Sequence, residues 1–260
     1  MTSHNLVPEE QKKTNFRWAI VSLLFFATAI NYADRTVMSI AGPAISKSLG
    51  LDSVSLGYIF SAFGWAYVLA QLPAGWLLDR FGSRIVYSVS LFSWSFFTFI
   101  TGFTGSLSGF TAVAVLFTLR FMLGIAESPA FPANSRISVA WFPSKETGTA
   151  AAIFNSAQYF ATVLFAPVLG FIVHTYGWKW SFIFMGCVGF IFLIVWQKFV
   201  HEPKKSPYIN PKELDYITSG GALVDMDIKA LIAFRVDQRI MCDRIPDLMA
   251  KELVRALSLV

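Results

Sequence analysis

With 260 residues, 55% of them hydrophobic, 14% charged and 26 of them phenylalanine, the chain is too apolar and too poor in charge for an ordinary soluble domain. Its formal charge of +5 does not point to nucleic acid, because the basic residues bracket the apolar runs instead of forming a patch. The two cysteines, Cys187 and Cys242, make no CxxC spacing and have no histidine cluster beside them, so no disulfide framework, metal site or cofactor is expected.

Residues 1–17 form a polar N-terminal segment in which Lys12, Lys13 and Arg17 precede the first apolar run. That run reaches Ala27-Thr28-Ala29, which resembles a signal-peptidase site. Apolar character resumes after Arg35 as Val37, Met38 and Ile40, so an uncleaved span is expected. Six runs are long enough to cross a hydrocarbon core of about 30 Å at about 1.5 Å per residue. They are placed at residues 18–44, 55–78, 84–103, 109–132, 148–173 and 179–199, giving an all-α membrane domain over residues 18–200. None shows the alternation of a lipid-facing strand.

Two of these spans carry charge: Asp34 and Arg35 in the first, Arg120 and Glu127 in the fourth. An ionised group near the middle of a membrane helix costs about 2.5 to 3.5 kcal/mol, whereas each Leu, Ile, Val or Phe returns only about 0.3 to 0.6 kcal/mol. Two charges cancel most of the insertion drive of the first span, so they are expected to face other helices or water. Such a layout belongs to a transport pathway.

The second and third spans are joined by Gly75-Trp-Leu-Leu-Asp79-Arg80-Phe-Gly82-Ser-Arg84. Gly82 is expected to end a helix in left-handed geometry, and Arg80 and Arg84 should hold the loop on the cytoplasmic side. Taken by itself this is an ordinary positive-inside hairpin. Lys12, Lys13, Arg17, Arg80, Arg84, Arg136, Lys145, Lys198, Lys204, Lys205 and Lys212 fall on one side, with only Lys47 and Lys179 on the other. Both termini should then be cytoplasmic.

Residues 201–260 read as a cytoplasmic tail, since Pro203, Pro207 and Pro211 prevent continuation of the sixth helix. Asn210, Pro211 and Glu213 fit the N-cap, N1 and N3 positions of a short helix stopping at Gly220-Gly221. A last amphipathic helix is expected from Asp247, with Met249, Leu253, Leu257 and Val260 on one stripe.

On one helix, Arg120 and Glu127 share a face about 10 Å apart. Arginine stays charged, and its planar fork pairs bidentately with carboxylates, so Arg35 and Arg120 are candidate anchors for an anion. Asp34 and Glu127 can each exist charged or neutral and are the candidate proton carriers. A carboxylate is expected to neutralise part of Arg120 in the empty protein, its protonation freeing guanidinium charge for substrate. The competing reading is a set of permanent salt bridges. Tyr32, Tyr67, Gln71, Asn155 and Gln158 suit either substrate hydroxyls or interhelical hydrogen bonds. No span holds a deep histidine, a GxSxG elbow or an HExxH pair, so an enzyme is not expected.

The loop at residues 75–84 matches GxLxDRxGxR and resembles the signature of the major facilitator superfamily. Glu127-Ser-Pro129-Ala-Phe131-Pro132-Ala-Asn134-Ser-Arg136, Trp141-Phe142-Pro143, Asn31-Tyr32-Ala-Asp34-Arg35 and Phe154-Asn155-Ser-Ala-Gln158-Tyr159 resemble its anion:cation symporter branch. Within that branch the sequence is most similar to proton-coupled glucarate and galactarate permeases over residues 15 to 227, including His201-Glu202-Pro203 and Gly220-Gly221-Ala222-Leu223. The resemblance implies the N-terminal half of that fold, a bundle of two three-helix units in inverted topology, in the inner membrane. It implies symport of a sugar acid such as glucarate or galactarate with protons, and favours Tyr32, Tyr67 and Gln158 as sugar-acid contacts. In such proteins the Asp79 loop also touches a second six-helix half. That half is expected here from self-association or another chain, the sequence being read as a truncated or frame-disrupted product with nothing familiar from Ile228 on. A non-transporting assembly or regulatory subunit is the alternative.

Overall fold

The computed structural model describes residues 13–228, so the helix expected from Asp247 lies outside the described residues. Eight α-helices follow in order: α1 (Phe16–Leu49), α2 (Ser53–Phe81), α3 (Ser83–Thr101), α4 (Gly109–Glu127), α5 (Ala130–Trp141), α6 (Ser144–Tyr176), α7 (Trp178–Phe199) and α8 (Pro211–Ser219). With α4 and α5 taken as one span, six among the described residues are long and apolar enough to cross a membrane.

Three differences from the expected spans have local causes. α1 runs through Pro43 to Leu49 and ends at Gly50, whose φ of 65° and ψ of 36° form the left-handed cap. The fourth span continues to Trp141 instead of stopping near residue 132. Beyond residue 132 its polar residues find partners: Asn134 donates to Thr28 at 2.9 Å, and Arg136 pairs with Asp79 and Asp227. The helix also breaks between Glu127 and Ala130. Pro129 has no N–H to donate, and the Ser128 hydroxyl donates instead to the Ile125 carbonyl at 2.9 Å.

Packing follows the expected inverted repeat. The dominant contacts are α1 on α6, α2 on α4 and α3 on α7. Exchanging the first three spans with the last three turns the first contact into the second and leaves the third unchanged, as a pseudo-two-fold axis requires. Small residues permit the approach. Ala29 meets Ala157 and Ala161 between α1 and α6. A Cβ on Gly124 of α4 would stand 2.5 Å from the Phe63 carbonyl oxygen of α2. One on Gly186 of α7 would stand 2.6 Å from Phe99 Cβ of α3.

The segment after α7 belongs to the bundle. α1, α3 and α6 have no side-chain cap of their own, and residues 213–227 supply an acceptor for each: a carboxylate for α1 and α3, a backbone carbonyl for α6. Glu213, fully buried, accepts from Phe16 N at 3.0 Å, Arg17 N at 3.2 Å and Thr14 Oγ1 at 2.6 Å. Asp227 accepts from Ser83 N at 2.8 Å, and the Gly220 carbonyl accepts from Ser144 N at 2.9 Å. These acceptors sit at the positive ends of three helix dipoles. α8 itself begins as expected, with Asn210 accepting from Glu213 N and Pro211 in the first turn. Tyr216 donates to Glu146 at 2.7 Å, a bond to a carboxylate that holds the phenol pKa above its ordinary value.

Glu213→Ala strips buried donors of their acceptor and is expected to cost about 1–3 kcal/mol of stability. Asp225→Ala, which removes a partly exposed pair with Lys204, should cost no more than about 1 kcal/mol. Thermal unfolding in detergent compares them; equal losses would show that the Glu213 cap is not a principal tie.

Candidate functional site

Helix α1 brings Asn31, Tyr32, Asp34 and Arg35 to the middle of the bundle, and α4 brings Arg120 and Glu127 to meet them. Asp34, Arg120 and Glu127 are 2%, 5% and 0% exposed, so the charges face neighbouring helices rather than lipid. Arg35 Nε donates to Glu127 Oε2 at 2.9 Å. The guanidinium is caged by three rings, its carbon lying 4.9 Å from the centroid of Tyr32, 5.1 Å from Phe63 and 4.8 Å from Tyr67. Aromatic faces stabilise a cation most where water is excluded.

Of the two carboxylates expected to neutralise part of Arg120, Glu127 makes its ion pair with Arg35 of the neighbouring helix. Seven-residue spacing puts Arg120 and Glu127 on one face, but the 2.9 Å contact goes to the neighbouring helix. Arg120 remains within electrostatic reach of both Asp34 and Glu127, with its Nη2 lacking a hydrogen-bond partner among the described residues. Neither Asp34 oxygen has one either, and neither does Glu127 Oε1. This interior is charged but incompletely paired, which a low-dielectric surrounding makes costly.

Tyr32, Arg35 and Tyr67 line one recess together with Asn31, Tyr87 and Asn134. Arg120 and Gln158 are not among its lining residues. Gln158 is half-buried on α6 next to Ala157, which seats that helix on α1. Asn31 and Asn134 stood within the quoted motifs without being given a role. Tyr87 lies in an aromatic-rich run where nothing separates it from packing residues. The signal for the two asparagines was an amide in an apolar helix, which needs a partner wherever it is buried.

At the other end of the bundle the loop residues form a second polar cluster. Asp79 pairs with Arg136, which also reaches Asp227 at 3.1 Å. Arg84 donates to the Gln197 carbonyl at 2.9 Å, and Arg80 lies over the Trp76 and Phe81 rings. Gly82 has φ 81° as expected of a helix-ending glycine, but ψ of 157° places it outside the left-handed helical region. There it ends α2 and starts α3 in a conformation reserved for glycine. Gly75, Asp79 and Arg80 lie within α2 and Arg84 within α3, so the connection expected over residues 75–84 is reduced to Gly82.

The model of the family described as the Major Facilitator Superfamily matches residues 24–245. Over 217 residues the chain is 56% identical to the "Probable galactarate/D-glucarate transporter GudP" of Escherichia coli (strain K12), covering 84% of this chain and 48% of the relative. It is 52% identical over 223 residues to the "Probable galactarate/D-glucarate transporter GarP" of the same organism, covering 86% and 50%. To the "D-galactonate transporter" of Escherichia coli O6:H1 it is 38% identical over 211 residues, covering 81% and 48%. The chain thus spans about half the length of the curated relatives it matches. Among solved structures, the proton:xylose symporter XylE is similar with a TM-score of 0.66 at 14% identity, covering 85% of this chain and 52% of that one. An inward-facing bacterial homologue of the lysosomal transporter Spinster gives 0.65 at 20%, covering 77% and 48%. These two show the fold.

Arg35→Leu leaves Glu127 buried without its counter-ion and is expected to cost about 3–5 kcal/mol, whereas the double variant Arg35→Leu/Glu127→Leu should recover most of that loss. Thermal unfolding in detergent reads both; a double variant as unstable as the sum of the singles would show that the pair is not coupled.

Proposed function

The chain belongs to the major facilitator superfamily, and from that premise we propose that it forms one half of a secondary transporter that carries a galactarate- or glucarate-type sugar acid together with protons. The observation that carries this reading is the 2.9 Å Arg35–Glu127 pair, whose arginine lines a recess with Tyr32 and Tyr67. The names of the relatives supply the substrate class. The likeness and the absence of a nucleophile or metal motif in the spans support a carrier rather than an enzyme.

In this reading Glu127 and a substrate carboxylate compete for one guanidinium. While Glu127 is ionised it holds Arg35. Protonation removes that charge, weakens the pair and leaves the Arg35 fork open to a bidentate bond with the incoming carboxylate. Substrate thus binds better to the protonated protein, and by reciprocity bound substrate favours proton uptake. Arg120 is the second cationic anchor, suited to the other carboxylate of a diacid, with Asp34 beside it as a second proton carrier. Tyr32, Tyr67 and Gln158 are assigned to substrate hydroxyls.

A second six-helix half, from self-association or another polypeptide, completes the cavity and gives alternating access by rocking against this one. The Asp79, Arg80, Gly82 and Arg84 loop then lies at the cytoplasmic end, where it meets that half. The excess of Lys and Arg in the N-terminal segment, this loop and the tail supports cytoplasmic termini, and the likeness to the transporters supports an inner-membrane location.

In proteoliposomes, galactarate uptake is expected to rise when the outside is more acidic than the lumen. Glu127→Gln should abolish the gradient dependence, and Arg35→Lys, which lacks the planar fork, should weaken uptake at every pH. Gradient-driven uptake that survives in both Asp34→Asn and Glu127→Gln would reject the proton-carrier assignment.

A further inference from the structure

The end of the bundle that carries the Asp79 loop has an apolar crevice on the flank of its spans. The crevice holds about 440 Å³ and is walled by Leu77 and Phe81 of α2, Ile85 and Val89 of α3, and Ile125 and Pro129 at the break after α4. Its lining is apolar apart from Ser90 and Ser93, and the Ser90 hydroxyl is spent on the Ala126 carbonyl. Phe81, Ile85, Val89 and Ile125 are exposed. On the flank of a membrane helix such side chains meet lipid, not water.

A second cavity of about 330 Å³ shares Ile85 and Val89 with the first and is completed by Arg84, Ser88 and Gln197. Together they form one groove along α3. Ile85, Val89 and Ser93 succeed one another at four-residue intervals and so lie on one stripe of the helix, while Arg84 stands in its first turn. Arg84 and Ser93 are separated by about 14 Å at about 1.5 Å per residue. That is close to the depth of about 15 Å that each leaflet contributes to a hydrocarbon core of about 30 Å.

Charge is confined to one end of this groove. Arg84 donates through Nη2 to the Gln197 carbonyl at 2.9 Å, and the same atom lies 3.3 Å from His201 Nε2, while its Nε and Nη1 make no hydrogen bond among the described residues. Two carboxylates share a polar pocket with Arg84, but Glu202 pairs with Lys205, and Asp227 accepts from Ser83 and pairs with Arg136. Among the described residues the Arg84 guanidinium therefore has no ion pair of its own. Arg80 brings a second positive charge to the last turn of α2.

We propose that this groove binds one phospholipid with an anionic headgroup, its phosphate on Arg84 and one acyl chain in the crevice along Ile85 and Val89. A basic end joined to an apolar body one leaflet deep is complementary to such a molecule. A free anion leaves the crevice unfilled, and a zwitterionic headgroup offers the guanidinium no net charge. The crevice is also of the size that encloses a ligand and is lined as such sites are, with carbon along its length and polar atoms at one end. A lipid so seated touches α2, α3 and α4 together. The inference requires only that the chain spans a membrane, and it is independent of the solute carried.

Native mass spectrometry of the delipidated full chain in detergent, titrated with phosphatidylglycerol or with phosphatidylcholine of the same acyl chains, tests the site. One phosphatidylglycerol is expected to bind at about fivefold lower concentration than phosphatidylcholine, the worth of one arginine at an anionic lipid surface. Arg84→Gln should abolish that preference, and Arg84→Lys should keep it. Val89→Trp fills the crevice from an exposed position and should remove the first adduct of both lipids, whereas Ile191→Trp, at an exposed position on α7, should leave binding as in the parent. Inorganic phosphate at the same concentration should not displace the bound lipid. Equal binding of the two lipids by the parent chain overturns the proposal, as does a preference that survives Arg84→Gln or an adduct unaffected by Val89→Trp. Displacement by inorganic phosphate, or a dimer of the chain in place of the lipid adduct, overturns it as well.

Discussion

A membrane interior tolerates ionised side chains only when they answer one another, and the Arg35–Glu127 contact is how this bundle meets that condition. The pair joins α1 to α4, the first helices of the two inverted units, so the cost of burying charge is offset at the place where the pseudo-two-fold axis brings them together. The aromatic cage of Tyr32, Phe63 and Tyr67 excludes lipid on one side. Small residues on α1, α2, α4 and α6 let the helices close around the charges. Removing either charge leaves the other without an answer.

Incomplete pairing is as informative as the pair. A site built only for stability would saturate Arg120, Asp34 and the second oxygen of Glu127, since each unsatisfied buried group is costly. Their open valences suit a centre whose partners change. The break at Ser128–Pro129 contributes here, because it follows Glu127 directly and frees the backbone beside it from the regular ladder. Irregular backbone at membrane depth is tolerated where it borders protein or a cavity.

The sequence was sufficient for what depends on local pattern and length. Six apolar runs, a charge cluster on the first and fourth, and the Asn210-Pro211-Glu213 helix start all follow from spacing and propensity. What escaped it depends on contacts between distant segments. Periodicity shows that Arg120 and Glu127 share a face, but not that Arg35 from another helix takes the carboxylate. The fourth span reaches past residue 132 because Asn134 and Arg136 find Thr28, Asp79 and Asp227, partners that hydropathy does not count. Glu213 was legible as the third residue of its own short helix, and nothing local revealed that its carboxylate serves α1, almost the whole chain away.

That last arrangement bears on how the molecule is made. Glu213, Gly220 and Asp227 emerge from the ribosome after all six spans, yet they close the starting turns of α1, α3 and α6. Until then those helix ends are satisfied only by water or lipid headgroups. Completion of the bundle is therefore reported by the stretch after the sixth span folding back on the first, and a nascent chain halted near residue 200 would carry the six described membrane helices but none of these three closures.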